Sequence, residues 1–129
     1  MPYAAITYAV KPGHEDEIAE IFAAFQRVPT PVLVDDEGKE AGRLVGTAVF
    51  IKGEVMIRVI HYEGDLAHVA RNMARHKGVH ELEAKLAPYL AETRDTGTPD
   101  AFGRYFRDAT MRCISQLSAD TLPAGARTP

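Results

Sequence analysis

The strongest constraint on this chain is a pair of β-rich runs, Arg43 to Ile51 and Glu54 to Tyr62, separated only by Lys52-Gly53. Two such runs joined by so short a polar connection read as an antiparallel hairpin. Side chains alternate along a strand, so in the second run Met56, Arg58, Ile60 and Tyr62 share one face. Val55, Ile57, Val59 and His61 share the other. Both faces are largely apolar, which predicts a sheet covered on both sides.

The rest of the chain supplies the remaining layers. Tyr3 to Val10 is an apolar strand stopped by Lys11-Pro12-Gly13. From His14 onward Ile18, Ile21, Phe22 and Phe25 fall at helical spacing, with Glu15, Asp16 and Glu17 in a first turn where the helix dipole favours acids. Pro29 and Pro31 end that helix. Thr30 to Ala41 reads as a loop with a short edge strand at Val32–Val34. Gly64-Asp65 is a turn with an N-cap, and Leu66, Val69, Ala70 and Met73 form the stripe of a second helix. Gly78 interrupts it; Val79, Leu82, Leu86, Tyr89 and Leu90 follow, with Pro88 forcing a kink or restart. Thr96 to Pro99 is loop, and Ala109 to Leu117 reads as a final strand. The order is β-α-β-β-α-β, an α+β, ferredoxin-like arrangement with an antiparallel sheet. Two helices cover one face of four strands. The other face calls for a partner, and a two-fold homodimer pressing two sheets into a barrel is the simplest one.

At 129 residues, with 46% hydrophobic and 26% charged side chains, the chain has the size and core of one domain. We place that domain at residues 1–120 and expect a disordered Pro/Gly/Ala tail over 121–129. A net charge of −3 gives no basic footprint for nucleic acid or anionic lipid, so neither is an expected partner. The single cysteine, Cys113, lies in the expected final strand, which predicts a buried, inert thiol. Met1-Pro2-Tyr3 lacks the basic start of a signal peptide, and no run approaches the roughly 18 apolar residues of a membrane span. The expected location is cytoplasmic.

Among residues suited to chemistry, His76 extends the stripe of Leu66, Val69 and Met73 and so points inward at a helix end. An imidazole there suits proton transfer near neutral pH, though a core histidine bonded to a backbone carbonyl accounts for it equally well. His76 and His80 stand four apart, as in zinc-binding pairs, and His61 is the candidate third ligand. Gly78 between the two weakens that geometry, and no metal is favoured. Arg58, mid-strand in an apolar run, needs a carboxylate such as Glu54 or Glu63, or an anionic ligand. Arg43 suits an oxyanion-stabilising role or a solvated place at the hairpin end. Tyr8, Tyr62 and Tyr89 are candidates to hydrogen-bond substrate oxygens, against ordinary aromatic packing. No phosphate loop, nucleophile motif or dinucleotide fingerprint occurs, so no cofactor is expected.

One stretch adds a resemblance. Val59-Ile60-His61-Tyr62-Glu63-Gly64-Asp65, then Ala74 to Leu82, then Leu86-Ala87-Pro88-Tyr89-Leu90, resembles the tetracenomycin-type polyketide cyclases of the dimeric α+β barrel superfamily. Those have a strand ending in Glu and Asp, a helix ending in His, and a later Leu-x-Pro-Tyr segment. More specifically, residues 3–117 are similar to the SchA/CurD-like domain proteins that accompany bacterial polyketide clusters for spore pigments. The resemblance implies a dimeric α+β barrel acting on an aromatic polyketide or its poly-β-ketone precursor. It implies aldol-type ring closure with dehydration, His76 serving as base with His61 or His80 in support, and Arg43 or Arg58 steadying the enolate. Arg43 matches a basic position of the cyclases, but their His-Asp pair at the end of the first helix is replaced here by Phe25-Gln26-Arg27. Two alternatives follow: a monooxygenase, cofactor-independent or metal-dependent, converting an anthrone-like phenol to a quinone, or a non-catalytic subunit of a synthase. Acyl carrier protein or synthase subunits are the implied further partners.

Overall fold

The computed structural model describes residues 2–24, 32–92 and 98–117. The expected end of the first helix at Phe25, Pro29 and Pro31, the Thr96-Gly97 half of the Thr96–Pro99 loop and the 121–129 tail lie outside those residues. Four strands form one antiparallel sheet: β1 (Tyr3–Ala9), β2 (Val32–Val34), β3 (Glu40–Lys52) and β4 (Val55–Gly64), in the order β1-β4-β3-β2. The hairpin is as read from its sequence, with Gly53 at a positive φ of 60° in its turn. The short edge strand is present too. Asn72 holds its outer edge, donating from Nδ2 to the Val34 carbonyl at 2.9 Å and accepting from the Val34 N–H at 3.3 Å.

Helices α1 (Glu15–Ala23), α2 (Leu66–Arg75), α3 (Lys77–Leu86) and α4 (Pro99–Ala109), with a 3₁₀ turn at Ala87–Tyr89, are the other elements among the described residues. They cover one face of the sheet. Ala4, Ile6 and Tyr8 of β1 and Met56, Arg58, Ile60 and Tyr62 of β4 are buried there, beneath Ile18, Val69, Val79, Leu82, Leu86, Phe102 and Phe106. The opposite face carries Ala5, Thr7, Phe50, Val55, Ile57, Val59 and His61 and has no covering element among the described residues. Phe50 there is 62% exposed and Val55 50%. No helix among the described residues is long and apolar enough to cross a membrane.

Three expectations are corrected. Ala109 to Leu117 is not a strand: Ala109 ends α4, and only Thr110 forms an antiparallel bridge, to Ile6, backed by the Met111 N–H donating to the Ala5 carbonyl at 2.8 Å. The physical reason is a helix signal just upstream. The Thr98 hydroxyl caps the Ala101 N–H at 3.1 Å, Pro99 and Asp100 open the first turn, and Phe102, Tyr105, Phe106 and Ala109 supply the apolar stripe. Cys113, beyond that bridge, is therefore exposed rather than buried. Finally, the break in the second helical region falls at His76 and not at Gly78. His76 is extended (φ −83°, ψ 120°), ends α2 by donating to the Met73 carbonyl, and starts α3 by accepting from Val79 and His80.

Candidate functional site

Along the inner face of β4, Arg58 is the one buried cation among the described residues, 5% exposed. Its guanidinium carbon lies 5.6 Å from the ring centroid of Phe22 on α1. Its Nε has no hydrogen-bond partner and no ion pair reaches it among the described residues. The carboxylates expected to neutralise it are elsewhere. Glu63 is bound to Arg43 at 3.0 Å on the opposite face, and Glu54 sits in the hairpin turn, where its carbonyl accepts from the Val10 N–H. Arg58 stands opposite Ile6 on one side and Val49 on the other. Beyond Val49 the inner face opens: Val49 and Ile51 are half-buried and Thr47 is exposed. A desolvated cation thus lies at the edge of an apolar shelf, with an aromatic ring over it. Its chemistry suits an oxyanion carried on a flat apolar body.

The other candidates do not gather around Arg58. Tyr8 is buried on the same face, opposite Met56. Tyr62 shares the face but stands four residues on, roughly 13 Å along the strand. Burial raises its phenol pKa above the ordinary range, and the nearby Asp65 carboxylate adds to the shift. Tyr89 packs its ring against His14, centroids 5.1 Å apart, at the far end of the sheet. His61 lies on the outer face, stacked on its cross-strand neighbour Tyr3 with centroids 4.2 Å apart and planes 12° from parallel. Arg43 is also on that face. The sheet therefore separates His61 and Arg43 from His76, which is half-buried at the α2–α3 junction.

His80 has a structural duty. Its Nε2 bonds the Ala74 carbonyl, satisfying a group that the end of α2 leaves without a helical partner. The trio His61, His76 and His80 is not brought together. Among the described residues no three His, Cys, Asp or Glu side chains are placed to hold a metal ion. What the sequence reading missed is a groove between α2 and α4, about 990 Å³, whose walls carry Arg71, Arg75, Arg104 and Arg107. The signal was present as Arg pairs at i,i+4 and i,i+3, which share a helix face.

Comparison with known proteins agrees with this architecture. The solved structure of tetracenomycin F2 cyclase from Streptomyces glaucescens, a type II polyketide cyclase, matches with a TM-score of 0.58 at 13% identity, over 92% of this chain and 99% of that one. That match is one of fold, an α+β fold with a four-stranded antiparallel sheet. Among curated proteins, polyketide synthase CurD of Streptomyces cyaneus is 33% identical over 95% of this chain. The 42.8 kDa protein in the whiE locus of Streptomyces coelicolor is 34% identical over 85%, and protein SchA of Streptomyces halstedii 33% over 88%. The match spans only 32%, 26% and 28% of those proteins, respectively. The SchA/CurD like domain model covers residues 1–119, and the chain belongs to that family.

Proposed function

We propose that this chain binds an aromatic polyketide or its poly-β-ketone precursor on the inner shelf and promotes aldol-type ring closure there. The observation that carries the reading is the buried Arg58 beside Phe22, with no ion pair among the described residues. Enolisation of a β-diketone places negative charge on oxygen, and a preorganised guanidinium in a dry site stabilises that charge more than water does. Holding one folded conformer lowers the entropic part of the barrier. His76, on the same side of the sheet, is the proposed base, contributing about 10² to 10⁴. His61 and Arg43 have no part in that pocket within one copy. They lie instead on the face through which we propose that two copies pair.

The test is product analysis with a minimal aromatic polyketide synthase. Adding the wild-type chain is expected to shift products from spontaneous shunts toward one ring pattern. Arg58→Met is expected to abolish the shift while melting no lower than wild type, since it removes a buried charge that has no ion pair among the described residues and so relieves a desolvation cost. A product pattern unchanged by the wild-type chain, or unchanged by Arg58→Met, contradicts the reading. Oxygen uptake with substrate identifies an oxygenase instead. A second reading, a non-catalytic synthase subunit, is favoured by the separation of His61 from His76. It predicts that activity survives both Arg58→Met and His76→Ala.

A further inference from the structure

The groove between α2 and α4 lies apart from Arg58, and the proposed chemistry makes no use of it. Its floor is apolar and small, built from Leu66, Ala70, Ala74 and Phe106. Arg71 and Arg75 stand on one wall and Arg104 and Arg107 on the other, with Arg112 at one end. Five of the chain's 15 basic residues thus line one groove in a protein whose net charge is −3. Two acids share the lining, Asp36 and Asp100.

Asp36 shows how the groove treats a carboxylate. Reaching in from the β2–β3 loop, its oxygens take Arg71 at 3.2 Å and Arg75 at 2.8 Å. The α4 wall and the end beside it have no such occupant: Arg104, Arg107 and Arg112 form no ion pair among the described residues. All five guanidiniums are exposed. A small anion bound there would stay in water and gain little. A partner that covers the groove would desolvate the arginines and pair those that Asp36 does not reach. The walls are two packed helices, so the shape that fits between them is a third.

We propose that this groove docks an acidic amphipathic helix of a partner protein, its apolar side on Ala70, Ala74 and Phe106 and its carboxylates on Arg104, Arg107 and Arg112. The docking does not depend on the chemistry proposed at Arg58.

Fluorescence anisotropy tests it with a labelled peptide of roughly 18 residues, about five helical turns, carrying Glu residues on both sides of a leucine stripe. The peptide is expected to bind the wild-type chain, more weakly as salt rises, while its Glu→Lys counterpart does not bind. Arg104→Glu/Arg107→Glu is expected to weaken binding at least about tenfold. The neutral Arg104→Gln/Arg107→Gln, which preserves helix propensity, is expected to weaken it several-fold. Lys11→Glu/Lys52→Glu, with the same change in net charge at the hairpin end, leaves it unaltered. No binding, or equal losses in the two charge-reversed variants, overturns the proposal. Complete displacement by inorganic phosphate or naphthoate at matched ionic strength also overturns it, by making the groove a small-anion site.

Discussion

Tyr62 shows how one buried group ties the sheet to the following helix. Its phenol pKa is raised by burial and then by the charge of Asp65, whose Oδ1 caps α2 by accepting from the Ala67 N–H at 3.0 Å. A folded pKa above the unfolded value favours the neutral phenol. The associated stability is fully present below about pH 10 and is lost as pH rises through the folded pKa. Chemical denaturation between about pH 9 and pH 11 should show wild type losing more stability than Tyr62→Phe. Equal losses would contradict this account. At this scale the alternation of β4 was legible, since Met56, Arg58, Ile60 and Tyr62 do share one face. Which face the helices cover was not, because Val55, Ile57 and Val59 make the other face nearly as apolar. That ambiguity is why His61 could be grouped with His76, from which the sheet divides it.

Among the elements, the junction of β4 with α2 depends on a glycine pair. Gly42 and Gly64 face each other across β3 and β4 at positive φ of 145° and 100°. A Cβ on Gly64 would fall 2.4 Å from the Ala41 carbonyl oxygen, and one on Gly42 2.1 Å from that of Glu63. Neither backbone can yield without opening the ladder. Gly64→Ala should cost about 2 to 4 kcal/mol by denaturant titration; a cost below about 1 kcal/mol would show that the strand end relaxes freely. The hairpin and the early strands were readable from alternation and turn chemistry. Two errors came from competing local signals. Thr110, Met111, Cys113 and Ile114 have strand-like composition, but Thr98, Pro99 and the stripe from Phe102 to Ala109 start a helix first, leaving only one bridge to β1. Gly78 looked like a breaker, yet it is buried inside α3 while His76 closes one helix and opens the next.

For the whole molecule, the helix-free sheet face is the unfinished surface. Phe50, Val55 and Tyr3 are exposed there, next to half-buried Ile57 and Val59. A second copy covering this face accounts for strands that are apolar on both sides. Phe50→Lys should then shift the mass measured by light scattering from two chains to one at micromolar concentration. A single chain already present in the wild type would contradict the pairing. On the other face Arg58 is the proposed oxyanion site, and a chromogenic ligand tests that role most directly. A hydroxyanthraquinone whose phenolate absorbs in the visible should, on binding the wild-type chain, ionise about 1 to 2 pH units lower than in buffer, as a nearby desolvated cation requires. Arg58→Met should bind the same ligand without that shift. A phenol pKa unchanged on binding wild type, or lowered equally in Arg58→Met, would contradict the assignment of Arg58 as the oxyanion site.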